Sequence, residues 1–160
     1  MPESRVDAPA PDRKVRQGTG TCVVLDELVE RVVDLTYDNA DGSELFIGLS
    51  STYQDEVFDT AGALVGTATG TVEVVHVRPS DGHVFGRVRD RHRFTDGTVR
   101  LTGLFDMNEQ MAVGKEIPLF ATGLDGRYEG MEGVYWLTVA GSGPRLSDNH
   151  YTARMLLYRL

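Results

Sequence analysis

The stretch ATGLDGRYEGMEGVYWLT, residues 121–138, decides how the chain is read. Glycines fall at 123, 126, 130 and 133, and Val134, Tyr135, Trp136 and Leu137 come directly after them. A phosphate-cradling loop needs a strand before it and a helix after it, whose free amides meet the anion. In place of that helix stands a run of β-branched and aromatic residues, the composition of a strand. The glycines therefore predict a tight turn and close backbone approach, with a strand on each side. That strand offers two phases. Strict alternation turns Tyr135, Leu137 and Val139 inward and Trp136 outward; a glycine bulge would reverse the two aromatics.

Outward from this turn the same grammar repeats. Asp41-Gly42, Ala61-Gly62, Ser80-Asp81-Gly82, Asp96-Gly97, Asp125-Gly126 and Gly141-Ser142-Gly143-Pro144 punctuate segments near 26–36, 46–58, 65–78, 84–95, 98–108, 116–121, 132–140 and 150–159. Alternation is clearest in residues 84–94. Val84, Gly86, Val88, Asp90, His92 and Phe94 share one face, and Arg87, Arg89, Arg91 and Arg93 share the other. Val99, Leu101, Gly103, Phe105 and Met107 form a second inward set; Ala153, Met155 and Leu157 form a third. Eight short strands in up-and-down order predict a single all-β, closed antiparallel barrel, because closure removes exposed edges. A barrel of eight strands is just wide enough to enclose one small ligand.

One segment speaks two ways. In CVVLDELVERVVDL, Leu25, Leu28, Val29, Val32 and Val33 match the helical spacing, whereas the valine content favours a strand. The residues alone leave both open. The first 21 residues, rich in Pro, Gly and charge, read as a flexible tail that could serve as a lid; the barrel takes residues 22–160.

Bulk properties narrow the function. A formal charge of −8 and a pI near 4.9 argue against nucleic acid or an anionic membrane as partner, since both need a basic face. Cys22 stands alone beside Val23, Val24 and Leu25 and reads as a buried small hydrophobe. With no signal segment or membrane-length apolar run, the expected compartment is the cytoplasm.

Polar residues on inward faces are the candidates for chemistry. Asp90 and His92 lie about 6.5 Å apart along their strand, within reach of each other in suitable rotamers. They form either a structural pair or a site in which His92 donates to substrate. Tyr135 is either a core tyrosine or a donor to a substrate carbonyl. Tyr53 and Asp55 share an inward face of the second strand. His76 is placed on the Val72 and Val74 face, and His83 and His150 in loops. No histidine, cysteine or carboxylate spacing suggests a metal site, and no Gly-x-Ser-x-Gly context supports a serine nucleophile.

Several strings occur in order: FDTAGALVGTATG (58–70), VRPSDG (77–82), FTDG (94–97) and ATGLDGRYEGMEG (121–133). Together they resemble the small bacterial [4+2] cyclases of the allene-oxide-cyclase-like barrel group that form spirotetronate and spirotetramate rings. The resemblance covers roughly residues 26–160 and implies that the segment 26–36 is the first strand. It implies a homodimer of eight-stranded barrels that needs no cofactor. Each barrel would close a linear tetronate- or tetramate-bearing polyketide into its spirocycle during antibiotic biosynthesis. The family's acidic residue near the start of the first strand is matched by Glu27. Its fourth-strand tyrosine falls on Val88, its seventh-strand arginine, tryptophan and methionine on Tyr135, Leu137 and Val139, and a sixth-strand tyrosine near Leu119. The expected site therefore comprises Glu27, Asp90, His92 and Tyr135. Its expected wall is Tyr53, Asp55, Val88, Leu101, Phe105, Met107, Leu119, Leu137 and Val139. Two other functions fit a hollow barrel: an allene-oxide-cyclase-like isomerase, and a lipocalin-like carrier of a lipophilic ligand.

Overall fold

A computed structural model describes residues 21–38 and 45–159. The proposed tail and its role as a lid lie outside the described residues, apart from Thr21, which opens the first strand. Eight strands succeed one another: β1 (Thr21–Tyr37), β2 (Ser50–Phe58), β3 (Leu64–Val77), β4 (Val84–Phe94), β5 (Gly97–Asp106), β6 (Glu116–Gly126), β7 (Glu132–Gly141) and β8 (His150–Arg159). Each pairs antiparallel with its sequence neighbour, and β1 pairs with β8, so the sheet closes into the expected all-β barrel.

The stretch from 121 to 138 behaves as its composition requires. β6 runs on to Gly126, which adopts φ +60°, and Gly130 adopts φ +72°; these positive angles make the turn. Gly133 passes so close to β8 that a Cβ there would sit 1.8 Å from the Leu156 carbonyl oxygen. Tyr135 points inward and is fully buried, while Trp136 lies on the outer face with the Arg154 guanidinium 4.4 Å from its ring centre.

β1 is a strand, and its helix-like spacing has a geometric cause. Pairing with β8 slips between Leu25 and Leu28, and pairing with β2 slips between Val32 and Asp34. Each irregularity inserts an odd step into a period-two element. Val23 is buried before the first slip, Leu28 and Glu30 after it, and Leu35 and Tyr37 border the mouth of the cavity beyond the second. Steps of three across bulges, joined by steps of two, imitate a helical stripe.

Two other placements are corrected by the same geometry. Cys22 is exposed, because its neighbour Val23 takes the inward position. A slip between Val74 and His76 turns His76 outward, against Phe85 with ring centres 5.9 Å apart.

One end of the barrel is solid. Val57, Val99, Ala121, Tyr128, Met131 and Leu157 pack there, with Phe94 and Tyr128 in edge-to-face contact at 5.7 Å. The other end carries the β1–β2, β3–β4, β5–β6 and β7–β8 connections and is open.

Candidate functional site

The open end leads into a cavity of about 660 Å³. Its wall is largely apolar. Val88 comes from β4, Leu101 and Phe105 from β5, Met107 just beyond β5, Ile117 and Leu119 from β6, and Leu137 from β7. Val139 is buried on the same face but does not line the hollow. The rim is built by Leu35, Leu45, Met111 and Leu146, all substantially exposed.

The floor is polar, and it sits on the solid end. His92 is the centre of it, 2% exposed. Its Nδ1 lies 2.8 Å from Asp90 Oδ1, and its Nε2 lies 2.8 Å from Glu30 Oε1. Tyr53 donates its hydroxyl to Asp90, and Tyr135 donates its hydroxyl to Glu30. The chain Tyr53–Asp90–His92–Glu30–Tyr135 thus crosses the barrel from β2 to β7 with every member hydrogen-bonded. Small residues on β3 make room for it. Gly70 stands between Tyr53 and Asp90 in register, and a Cβ there would lie 2.5 Å from the Tyr53 hydroxyl.

Charge is set by burial and company. Burial, the largest influence on His92, disfavours the imidazolium, but the nearby Asp90 and Glu30 carboxylates together outweigh it and hold the ring well above the ordinary histidine range. Tyr53 and Tyr135 are pushed well up, first by burial and then by the carboxylate each one meets. They are donors, not latent phenolates.

Asp55 stands beside this chain and differs from it. It lies on the Tyr53 face of β2, 4% exposed, opposite Val32 and Ala68 in neighbouring strands. Its Oδ1 is buried without a hydrogen-bond partner. Burial, and then the carboxylates of Glu30 and Asp90, push its pKa up to about 8, and a hydrogen bond with Glu30 works in the same direction, so at neutral pH it keeps its proton.

The sequence candidates therefore divide. Tyr53, Asp55, Asp90, His92 and Tyr135 meet at the floor, and Val88, Leu101, Phe105, Met107, Leu119 and Leu137 line the wall. His92 and Tyr135, expected to donate to substrate, have instead spent their donors on carboxylates. Glu27 does not enter the cavity. It is exposed at φ +53° in the first β1 bulge and faces an outer groove with Phe58 and Trp136. Glu30 is the acidic residue of the floor. Its one legible signal was its alternation with Leu28 and Val32, hidden by the bulge that shifts the phase.

No metal set was legible in the spacing, yet His83, Asp106 and Glu109 each bring a potential ligand atom within 4.8 Å of the others near the β3–β4 and β5–β6 loops. His83 Nδ1 already lies 2.6 Å from Asp106 Oδ2, and the Arg78 guanidinium lies 3.9 Å from the same oxygen. Hydrogen bonding and a resident cation account for the cluster.

The barrel is similar to solved structures. The crystal structure of AbnU, an exo-specific intermolecular Diels-Alderase, is similar with a TM-score of 0.76 and 25% identity, over 89% of this chain and 100% of that one. The Diels-Alderase AbmU from Streptomyces koyangensis is similar at 0.74 and 27%, over 90% and 71%. A nonspecific heme-binding cyclase that catalyses [4+2] cycloaddition during neoabyssomicin biosynthesis is similar at 0.73 and 27%, over 88% of this chain; the match spans 65% of that protein. Residues 29–153 match the family described as the allene oxide cyclase barrel like domain. Spanning β2 to β7 whole, the second half of β1 and the start of β8, that match shows that this chain belongs to the allene oxide cyclase-like barrel family.

Proposed function

We propose that the protein is a [4+2] cyclase that folds a linear tetronate- or tetramate-bearing polyketide inside the barrel and joins its diene to its dienophile in antibiotic biosynthesis. The observation that carries this reading is the one-ended cavity of about 660 Å³, lined mostly by apolar side chains and holding its buried ionisable groups at the floor, in a barrel similar to three [4+2] cyclases. Such a volume suits one drug-sized molecule, which favours an intramolecular reaction over the intermolecular one performed by AbnU.

The chemistry asks little of the protein beyond shape. Two carbon–carbon bonds form as three π bonds become one, so the product has the mass of the substrate. No proton, electron pair or leaving group is transferred to another molecule. A flexible chain in solution rarely brings its ends into reacting distance. Holding it in the reactive bend can contribute, at the upper end, about 7–11 kcal/mol of the barrel's advantage. The apolar wall selects the bend by exclusion, and the floor fixes which end of the substrate goes in first.

The floor does not fit a haem iron. Both nitrogens of His92 are engaged by carboxylates, and Tyr53 and Tyr135 donate to the same carboxylates. Reaction through the substrate's own π electrons is the simpler account, and the cyclase is proposed to act without a cofactor.

A cytoplasmic homodimer completes the proposal. Among the described residues, no helix is long and apolar enough to cross a membrane. Phe120, Leu156 and Val24 are exposed on the outer surface, joined in register through Val134. Such a row is a surface on which a second copy could pack, and sedimentation of the purified chain reads its mass directly.

Incubation with a linear polyene tetronate tests the catalytic reading. The expected result is a product of unchanged mass and single configuration, formed faster than without protein. Retention of the unreacted polyene would identify a carrier instead and end the proposal.

A further inference from the structure

The donors at the floor of the cavity are engaged within the protein. Tyr53 donates to Asp90, Tyr135 donates to Glu30, and His92 lies between both carboxylates. Asp55 shares a hydrogen bond with Glu30. Higher up, Asn149 gives its amide to the carbonyls of Gly143, Arg145 and Leu146. Tyr151 is different. The inward phase of β8, set by Ala153, Met155 and Leu157, extends to it, and in register it stands between Val139 of β7 and Glu30 of β1. It lines the cavity and is partly accessible, yet among the described residues its hydroxyl has no hydrogen-bond partner. Nor is that hydroxyl sealed off, as Asp55 Oδ1 is. A polar group that stays open to a cavity is free to bond whatever fills it.

We propose that Tyr151 is a catalytic residue of this cyclase, its hydroxyl donating a hydrogen bond to the ring carbonyl conjugated with the substrate's exocyclic dienophile. This rests on the cyclase reading of the same cavity. A donor on that carbonyl withdraws electron density from the dienophile and lowers its empty orbital, which eases attack by the diene. The gain is larger where water is excluded. The proton stays on the tyrosine throughout, so the step needs no acid, base or co-reactant.

The surroundings suit a neutral carbonyl. The titratable groups that act on Tyr151 are Asp55 on β2 and Glu30 and Tyr37 on β1, while Val139 beside it on β7 is apolar. Burial first, and then these groups, push its hydroxyl up to about 12, so it remains a donor across the working range of pH. An anionic oxygen at this point would meet the Glu30 carboxylate; a lactone, lactam or ketone oxygen would not be repelled. With Glu30 and Asp55 at the floor and Tyr37 at the mouth, the donor belongs between them. The head ring of the substrate then enters first, and its polyene folds back along Val88, Leu101, Phe105 and Leu119, on the strands that face β8 across the barrel.

The substitution Tyr151→Phe removes the hydroxyl and keeps the ring. Initial rates with a linear polyene tetronate are expected to fall by about 10–100-fold, chiefly in kcat. Because the hydroxyl has no protein partner, the Tm should stay within about 2 °C of the wild type. Tyr135→Phe, which strips a donor from buried Glu30, should lower it by at least about 3 °C. Full activity in Tyr151→Phe overturns the assignment, and so does a Tm loss as large as that of Tyr135→Phe, which would show the hydroxyl tied to the protein.

A second measurement needs no turnover. The infrared carbonyl band of bound β-ionone, a conjugated enone, should move to lower frequency in the wild type and stay at its free position in Tyr151→Phe. A shift that depends on Tyr151, without any cyclisation of polyene tetronates, would sink the cyclase reading and leave the donor standing. Cyclisation without the shift, or a shift that survives in Tyr151→Phe, rejects the donor and leaves the cyclase.

Discussion

His92 and Asp55 sit in one cluster and should respond to substitution with opposite signs. His92 supplies the positive charge between Glu30 and Asp90. Removing one partner of a buried ionic group leaves uncompensated charge, which costs roughly 3–5 kcal/mol. His92→Leu is expected to lose that much at pH 7.5 in urea melts. Because folding raises the His92 pKa, its contribution is fully present below the ordinary histidine value and is lost as pH rises through the folded value. Asp55 runs the other way. Its folded value of about 8 lies above the ordinary 3.8, so between these limits the folded protein binds a proton that the unfolded chain has released. Stability therefore falls as pH rises through that window. Asp55→Asn removes the dependence. Its gain should be near zero at pH 4 and reach roughly 2–4 kcal/mol at pH 7, about 1.4 kcal/mol for each pH unit at most. Melts at pH 4.5, 6, 7.5 and 9 would show it. A constant difference between variant and wild type would mean that Asp55 is ionised throughout.

At the scale of the element, β1 shows what could and could not be read beforehand. Strands β4, β5 and β8 were legible residue by residue, because strict alternation survives along their buried faces: Val88, Asp90 and His92; Val99 and Leu101; Ala153, Met155 and Leu157. The floor residues on those unbroken strands, with Tyr53, Asp55 and Tyr135, were therefore found. β1 was not legible in phase, since two slips in its pairing disguise a strand as a helical stripe and move the inward carboxylate from Glu27 to Glu30. Nor was the outcome of the contacts legible: that His92 and Tyr135 would satisfy carboxylates before any substrate arrives depends on Glu30 coming from the far side of the barrel. Gly70 was the overlooked clue, a missing side chain on the inward face of β3 that lets Tyr53 reach Asp90. The first bulge itself is testable. Glu27 occupies φ +53°, the left-handed region that costs a residue with a Cβ about 1–2 kcal/mol. Glycine avoids that cost but adds roughly 0.5–1 kcal/mol of chain entropy. Glu27→Gly should therefore raise stability by no more than about 1.5 kcal/mol and leave cyclisation unchanged. A drop in rate would place Glu27 in the machinery after all.

For the whole molecule, the division of the barrel into a solid end and a hollow end is the property on which function depends. Val99, fully buried, packs in the solid end, whereas Leu137 borders the hollow and remains partly accessible. Enlarging a side chain should have different consequences at the two positions. In a close-packed region an added ring forces neighbours off their rotamers and costs typically 1–3 kcal/mol. At a cavity wall it enters vacant space, meets little and displaces the ligand instead. Val99→Phe is thus expected to lower the Tm by about 3–10 °C in a domain of this size, with cyclisation by the surviving folded fraction near normal. Leu137→Trp is expected to move the Tm by no more than about 2–4 °C while cutting kcat/KM at least tenfold, because the bent substrate no longer fits. Thermal melts and initial rates on the same preparations separate the two effects. If Leu137→Trp destabilised the barrel as much as Val99→Phe, its surroundings would be packed protein, and the space needed to bend a substrate would not exist. If it left both stability and rate untouched, the reaction would have to take place elsewhere, and the outer groove around Phe58 and Trp136 would become the place to look.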